Sequence, residues 1–126
     1  MALKRLPHTP DWVAGVANYR GTAVLVVDTS LLMIGKPCRT ILSTRILLTS
    51  VQSQDGAAKI LGLMAENVTG TVKILPETQR FSEVWKENAP YLGLFALHEG
   101  EILQIIRPGF VFSGESRRLL ELEGYE

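Results

Sequence analysis

The alternation of apolar and polar positions predicts a chain built mainly of short β-strands. The run Thr22–Val27 is rich in β-branched residues and apolar on both alternating faces, which predicts a strand that is buried on both sides. The same patterns predict further strands over Arg45–Gln52, Ala57–Ala65, Thr71–Leu75, Tyr91–Leu97 and Ile102–Ile106. Short strands separated by Gly-containing turns are typical of a sandwich or barrel.

The remaining local signals predict turns and short helices. Arg20-Gly21 predicts a type II turn, because Gly21 in the third position supplies the positive φ that this turn requires. Asp28 to Ser30 offer a helix N-cap and Gly35 offers a stop, so one or two helical turns are expected between them. Ser113–Leu122 is predicted as a C-terminal helix. Trp12, Val13 and Val16 have nearly helical spacing, which suggests one turn of α-helix or 3₁₀-helix before a strand ending at Tyr19.

Composition narrows the class of protein and its compartment. The 126 residues suggest one domain, and 13 basic residues balance 13 acidic ones, which argues against a nucleic-acid binder. The one cysteine allows neither a disulfide within the chain nor a Cys-based zinc site and fits a reducing compartment. With no apolar segment after Lys4 and Arg5 and no run of about 18 apolar residues, we expect a cytoplasmic protein without membrane insertion.

Candidate catalytic groups are few and do not form a recognisable set. His8 lies between prolines and His98 lies in a predicted hairpin turn, where solvated surface roles are favoured over catalysis. Cys38 adjoins Arg39, which could lower a thiol pKa, although a small loop residue is the favoured interpretation. No Gly-rich phosphate-binding motif or defensible carboxylate pair is present. These observations indicate a protein that is not an enzyme and that uses no cofactor or metal.

The stretch from Leu6 to Asp28 carries a resemblance to a known family, and the resemblance covers most of the chain but fades toward both ends. The residues that carry the resemblance are Leu6-Pro7, Pro10, Trp12-Val13, Gly15-Val16, Asn18, Arg20-Gly21 and Val26-Val27-Asp28. In order and spacing they resemble the core motif of CheW-like domains, the coupling modules of bacterial chemosensory arrays. The opening Leu3–Pro7 and the C-terminal half look closer to the adaptors of surface-sensing (Wsp-type) systems. Two departures from the family pattern are Ala65-Glu66, where an Asp is common, and Ile106-Arg107-Pro108, where a Leu-Asp pair is usual.

The resemblance implies a mainly β fold of two small SH3-like β-barrels packed side by side, with short helices. A single domain over residues 1–126 is expected, with approximate halves 1–75 and 76–126. We expect the two strands that precede this motif in the family to be missing, so that the N-terminal barrel is incomplete. Unpaired strand edges invite pairing with another copy, which predicts a homodimer formed through those edges or by strand exchange.

The resemblance also implies a function and a set of contact residues. It implies a non-catalytic adaptor that binds the cytoplasmic tip of a methyl-accepting receptor and the regulatory domain of a CheA-type histidine kinase. Arg20 matches the near-invariant arginine of the family motif. The predicted partner-binding residues are Arg20, Asn18, Tyr19, Gly21, Val13 and Val16, with a core role as the alternative for each valine and an even balance for Tyr19. The alternative function is a small β-barrel that binds a ligand or a Pro-rich peptide, against which the 7% aromatic content counts.

Overall fold

The computed structural model describes residues 3–53, 56–81 and 89–112. The described residues form two compact units, of which the first extends to Thr69 and the second begins at Gly70. The predicted organisation as a single domain with halves 1–75 and 76–126 stays a prediction.

In the part that the structure describes, the first unit is a four-stranded sheet with one short helix. Its elements are β1 (Val13–Tyr19), β2 (Thr22–Asp28), α1 (Thr29–Ile34), β3 (Arg45–Gln52) and β4 (Ala58–Ala65). The strand order is β1-β2-β4-β3, with antiparallel pairs β1–β2 and β3–β4 and a parallel pair β2–β4. A parallel pair needs a long crossover connection, which α1 and β3 provide.

The core of this unit forms around β2, as its apolar pattern predicts. Val24, Val26 and Val27 are all 0% exposed, so both faces of the strand are covered. Gly62 of β4 lies where a strand must approach its neighbours closely, because a Cβ there would come within 3.0 Å of Val26 Cγ2 and of Ile46 Cγ2. This close approach explains the glycine at position 62.

Helix α1 begins and ends at the residues that the sequence indicates. The Asp28 side chain accepts a hydrogen bond of 3.0 Å from the Leu31 N–H, which is an N-cap interaction. Gly35 has φ 73° and donates its N–H to the Leu31 carbonyl at 3.1 Å, so the helix ends in a left-handed residue. The predicted capping at both ends is confirmed.

Among its described residues, the second unit is a three-stranded antiparallel sheet with three short 3₁₀ segments. The strands are β5 (Gln79–Phe81), β6 (Leu94–His98) and β7 (Glu101–Ile105), in the order β5-β6-β7. The 3₁₀ segments, Pro76–Thr78, Pro90–Leu92 and Pro108–Phe110, each begin with proline, whose fixed φ suits the first helical position. Ala96 and Phe112 are buried at 0% and 1% exposure.

The prediction of a mainly β fold is confirmed, since the described residues form two sheets with few helices. The strand predicted over Thr71–Leu75 is wrong, because these residues belong to no ladder. No α-helical turn runs through Trp12 and Val16, since the chain is extended from Val13, but a single turn closed by the Val13 N–H and the Pro10 carbonyl at 3.0 Å precedes β1. Tyr91–Leu97 is strand only from Leu94, because a 3₁₀ segment occupies Pro90–Leu92. The C-terminal helix predicted at Ser113–Leu122 lies outside the described residues.

Candidate partner-binding site

The β1–β2 hairpin holds Arg20 at its tip. Tyr19 pairs with Thr22, so only Arg20 and Gly21 form the loop, with φ values of 50° and 83°. Two positive φ values define a type I′ turn, whose twist matches that of the flanking strands. The type II turn predicted from the position of Gly21 is therefore wrong, and Arg20 itself occupies the left-handed region. A non-glycine residue there costs roughly 1–2 kcal/mol.

A side chain from β1 fixes the conformation of this turn. The Asn18 Oδ1 accepts a hydrogen bond of 2.8 Å from the Gly21 N–H. This contact satisfies a backbone donor at the tip and opposes the strain at Arg20. A Cβ at Gly21 would meet no atom within 4 Å, so the backbone angle rather than space calls for glycine there.

The Arg20 side chain is exposed and directed by its neighbour. Its guanidinium carbon lies 5.2 Å from the centroid of the half-buried Tyr19 ring, within the range of a cation–π interaction. In residues 3–53, 56–81 and 89–112, no carboxylate forms an ion pair with Arg20. Arg20, Tyr19, Asn18 and Gly21 thus lie together at one end of the hairpin, with the charge available to an external partner.

The two predicted valines lie elsewhere. Val13 and Val16 are 2% and 6% exposed, so the structure gives their side chains a core role beneath the hairpin. Their part in partner contact stays a prediction. Between them, a Cβ at Gly15 would lie 2.6 Å from the Lys4 carbonyl oxygen, which explains the glycine at this point of the strand.

Among the described residues, the outer side of β1 is paired at one position. Lys4 and Val16 exchange backbone hydrogen bonds of 2.9 and 2.8 Å. Within the described part of the chain, no strand pairs with the outer side of β3, which also carries Leu47 and Leu48 at 45% and 37% exposure. Sheet edges of this kind can accept another strand.

Cys38 is not an activated thiol. Burial, as the largest cause, and a hydrogen bond with Asp28 together raise the pKa of Cys38 to about 11. The expectation that Arg39 could lower this pKa is wrong, because Arg39 instead pairs with Glu66, with 2.7 Å between Nε and Oε1. The favoured interpretation, a small loop residue, fits this arrangement.

The other candidate chemistry also fails to converge. His8 is exposed, and His98 lies 4.0 Å from the Glu99 carboxylate at the edge of a hairpin turn. Over the residues that the structure describes, no three His, Cys, Asp or Glu side chains are grouped so that they could hold a metal ion. No described helix is long and apolar enough to cross a membrane.

Sequence reasoning missed a second cluster, which lies in the second unit. Arg107 lies between the rings of Phe81 and Phe110, with its guanidinium carbon 5.4 and 4.4 Å from their centroids. In the sequence, Arg107 stands out only as a departure from the family pattern. One signal in the sequence could have suggested the cluster. Arg107 is a charged residue that comes directly after the apolar residues at the end of β7.

Comparison with known proteins gives a consistent result. The CheW-like domain family matches residues 1–116. No curated protein matches the chain. The crystal structure of the scaffolding protein TtCheW from Thermoanaerobacter tengcongensis is similar, with a TM-score of 0.74 at 19% sequence identity, over 92% of this chain and 73% of that one. At this identity the similarity establishes a shared fold.

Proposed function

Because the chain belongs to the CheW-like domain family, a family of chemotaxis scaffold and adaptor proteins, we propose that it is a non-catalytic adaptor in chemosensory signalling. It couples methyl-accepting chemoreceptors to a CheA-type histidine kinase in the cytoplasm. Its partners are the cytoplasmic tip of the receptor and the regulatory domain of the kinase. Assignment to the Wsp type stays a prediction.

The observation that carries the proposal is the exposed Arg20 at the end of a preorganised hairpin. A side chain held by the turn loses little conformational freedom on binding, which favours affinity. The guanidinium offers several donors in a fixed plane, suited to a partner carboxylate. Asn18, Tyr19 and Gly21 complete the contact surface, while Val13 and Val16 support it from the core.

A coupling module also needs a stiff body behind its contact surface. Strand β2 continues directly from the Arg20 turn, and four of its residues, Val24, Leu25, Val26 and Val27, are buried. Close-packed interiors transmit displacement rather than absorb it. A receptor contact at the hairpin would therefore move the sheet of the first unit as one body.

The open edges of this sheet support a further part of the proposal, a homodimer formed by edge pairing or strand exchange. Beyond the Lys4–Val16 pair, the edges at β1 and β3 offer backbone groups to a second copy. Array proteins with modest individual contacts gain strength from such multivalency.

The test is size-exclusion chromatography with light scattering of the chain mixed with the kinase regulatory domain or with a receptor-tip fragment. A complex with either partner that Arg20→Ala weakens supports the adaptor function and the site together. A complex that Arg20→Ala leaves intact retains the adaptor and rejects the site. No complex from a folded monomer would reject both the adaptor and the homodimer, and would favour the small peptide-binding module instead.

A further inference from the structure

Three elements of the second unit meet around one arginine. Arg107 follows β7, Phe81 ends β5, and Phe110 ends the 3₁₀ segment Pro108–Phe110. The guanidinium carbon lies 4.4 Å from the Phe110 centroid and 5.4 Å from the Phe81 centroid. The two rings are 50% and 43% exposed, so the charge is flanked by apolar surface that remains open to a partner.

The backbone holds this arrangement in place. The Arg107 N–H donates to the Tyr91 carbonyl at 2.8 Å, and its Nη2 donates to the Pro90 carbonyl. Beneath them, a Cβ at Gly93 would lie 2.6 Å from Phe81 Cε2 and 2.9 Å from Arg107 Nη2. Gly93 therefore makes the space that lets the ring and the guanidinium lie against the backbone.

The charge of Arg107 is not compensated within the described part of the chain. No carboxylate in residues 3–53, 56–81 and 89–112 pairs with it, and its Nε is buried without a hydrogen-bond partner. Arg39 differs, since it pairs with Glu66 at 2.7 Å. A half-buried guanidinium without a counter-charge is costly, and an incoming carboxylate would lower that cost.

We propose that Arg107, Phe81 and Phe110 form a binding site for an acidic segment of a partner protein, a Glu or Asp flanked by apolar side chains. The carboxylate pairs with the guanidinium, and the flanking apolar groups cover the exposed parts of the two rings. Charge complementarity selects this occupant over a purely apolar helix, which would bury the unpaired charge. The zero net charge of the chain gives no support to a nucleic-acid phosphate.

Capped Leu-Leu-Glu-Leu-Leu and Leu-Leu-Gln-Leu-Leu peptides test the site on the full chain, independently of any receptor or kinase. Shifts of the backbone amide signals in an NMR titration report binding, so variants that lack Arg107 can be measured in the same way. We expect the Glu peptide to bind about tenfold more tightly than the Gln peptide, as one charge-assisted hydrogen-bond pair allows. Arg107→Gln should abolish this preference. The matched control is Arg80→Gln, since Arg80 is exposed and its Nη1 donates only to backbone carbonyls of the described residues.

Three outcomes would overturn the proposal. They are equal affinity for the two peptides, a preference that survives Arg107→Gln, and acetate alone binding as well as the Glu peptide, which would mean a small-anion site. If circular dichroism shows that Arg107→Gln does not fold, Gly93→Ala and Arg107→Lys take its place. Gly93→Ala displaces the guanidinium and Arg107→Lys removes its planar fork, so either must weaken the preference for Glu.

Discussion

Asp28 and Cys38 are joined by a hydrogen bond of 3.0 Å from the Cys38 N–H to the Asp28 Oδ2. The other carboxylate oxygen accepts the Leu31 N–H at 3.0 Å. One buried side chain, 5% exposed, thus caps α1 and holds the loop that follows it. Asp28, a residue of the family motif, therefore has a structural role in the first unit.

Removal of this carboxylate should destabilise the first unit. We expect Asp28→Ala to lower the free energy of unfolding by about 2–4 kcal/mol, the sum of a lost N-cap and an unsatisfied N–H at Cys38. Urea denaturation followed by circular dichroism measures the change. Asp11→Ala, which removes an exposed carboxylate, is the control and should shift the midpoint little. An unchanged midpoint for Asp28→Ala would contradict the double capping role.

The Cys38 thiol should react slowly in the folded protein. Burial first, and then the hydrogen bond with Asp28, raise its pKa from 9.0 to about 11. At pH 8 the thiolate fraction is therefore about a hundredfold smaller than for an unperturbed cysteine. Alkylation by iodoacetamide, followed by mass spectrometry across pH 7–11, checks this. The urea-unfolded chain serves as the reference, and equal rates for the two states would refute the expectation.

The Arg39–Glu66 pair should make the loop that follows Gly35 sensitive to acid. The Arg39 backbone N–H and then its side chain hold the pKa of Glu66 below its ordinary 4.5. Since the folded pKa is the lower one, the pair stabilises the fold above pH 4.5 and its contribution is lost as the pH falls through the lowered value. Glu66→Gln should remove that pH dependence.

Hydrogen exchange at the Val68 amide measures this effect, because its N–H donates to the Ser43 carbonyl at 3.0 Å beside the ion pair. Protection should fall on acidification in the wild type and should be low at all pH values in Glu66→Gln. Glu77→Gln, at an exposed 3₁₀ position, is the control. Equal protection in wild type and Glu66→Gln at pH 7 would show that the ion pair does not hold this loop.

The sequence correctly predicted the elements whose signals lie in residues that are neighbours along the chain. The β-branched run of β2 and the caps of α1 at Asp28 and Gly35 needed no distant partner to be recognised. Thr71–Leu75 has a strand-like pattern, but no strand pairs with it in the structure, and a strand exists only with a partner. The type I′ turn was missed for a related reason, because the twist of the paired strands selects it.

The candidate sites depended even more on distant contacts. The sequence predicted Arg20 at the tip of a turn but not its stacking on Tyr19. The cluster around Arg107 joins residues 81, 93, 107 and 110, which no local pattern relates. Cys38 shows the opposite error, since its sequence neighbour Arg39 is paired with Glu66, and burial, followed by the hydrogen bond with Asp28, raises the pKa of the thiol.

The strain at Arg20 provides a test that separates binding from stability. Asn tolerates the left-handed region and is favoured before Gly in type I′ turns, so Arg20→Asn should raise the free energy of unfolding by about 0.5–1 kcal/mol. The same substitution removes the charge proposed to bind the partner. The folded protein should therefore become more stable while its complex with the kinase domain or the receptor tip weakens by at least about tenfold.

The β6–β7 hairpin offers a matched control. Glu99 and Gly100 have φ values of 49° and 79°, and His98 pairs with Glu101, so this turn has the same type I′ geometry. Glu99→Asn should stabilise the protein to a similar degree and leave partner binding unchanged. If both substitutions weaken binding equally, the effect arises from turn geometry rather than from the Arg20 charge. If Arg20→Asn stabilises the protein and binding persists, Arg20 is a strained surface residue and the partner contact lies elsewhere.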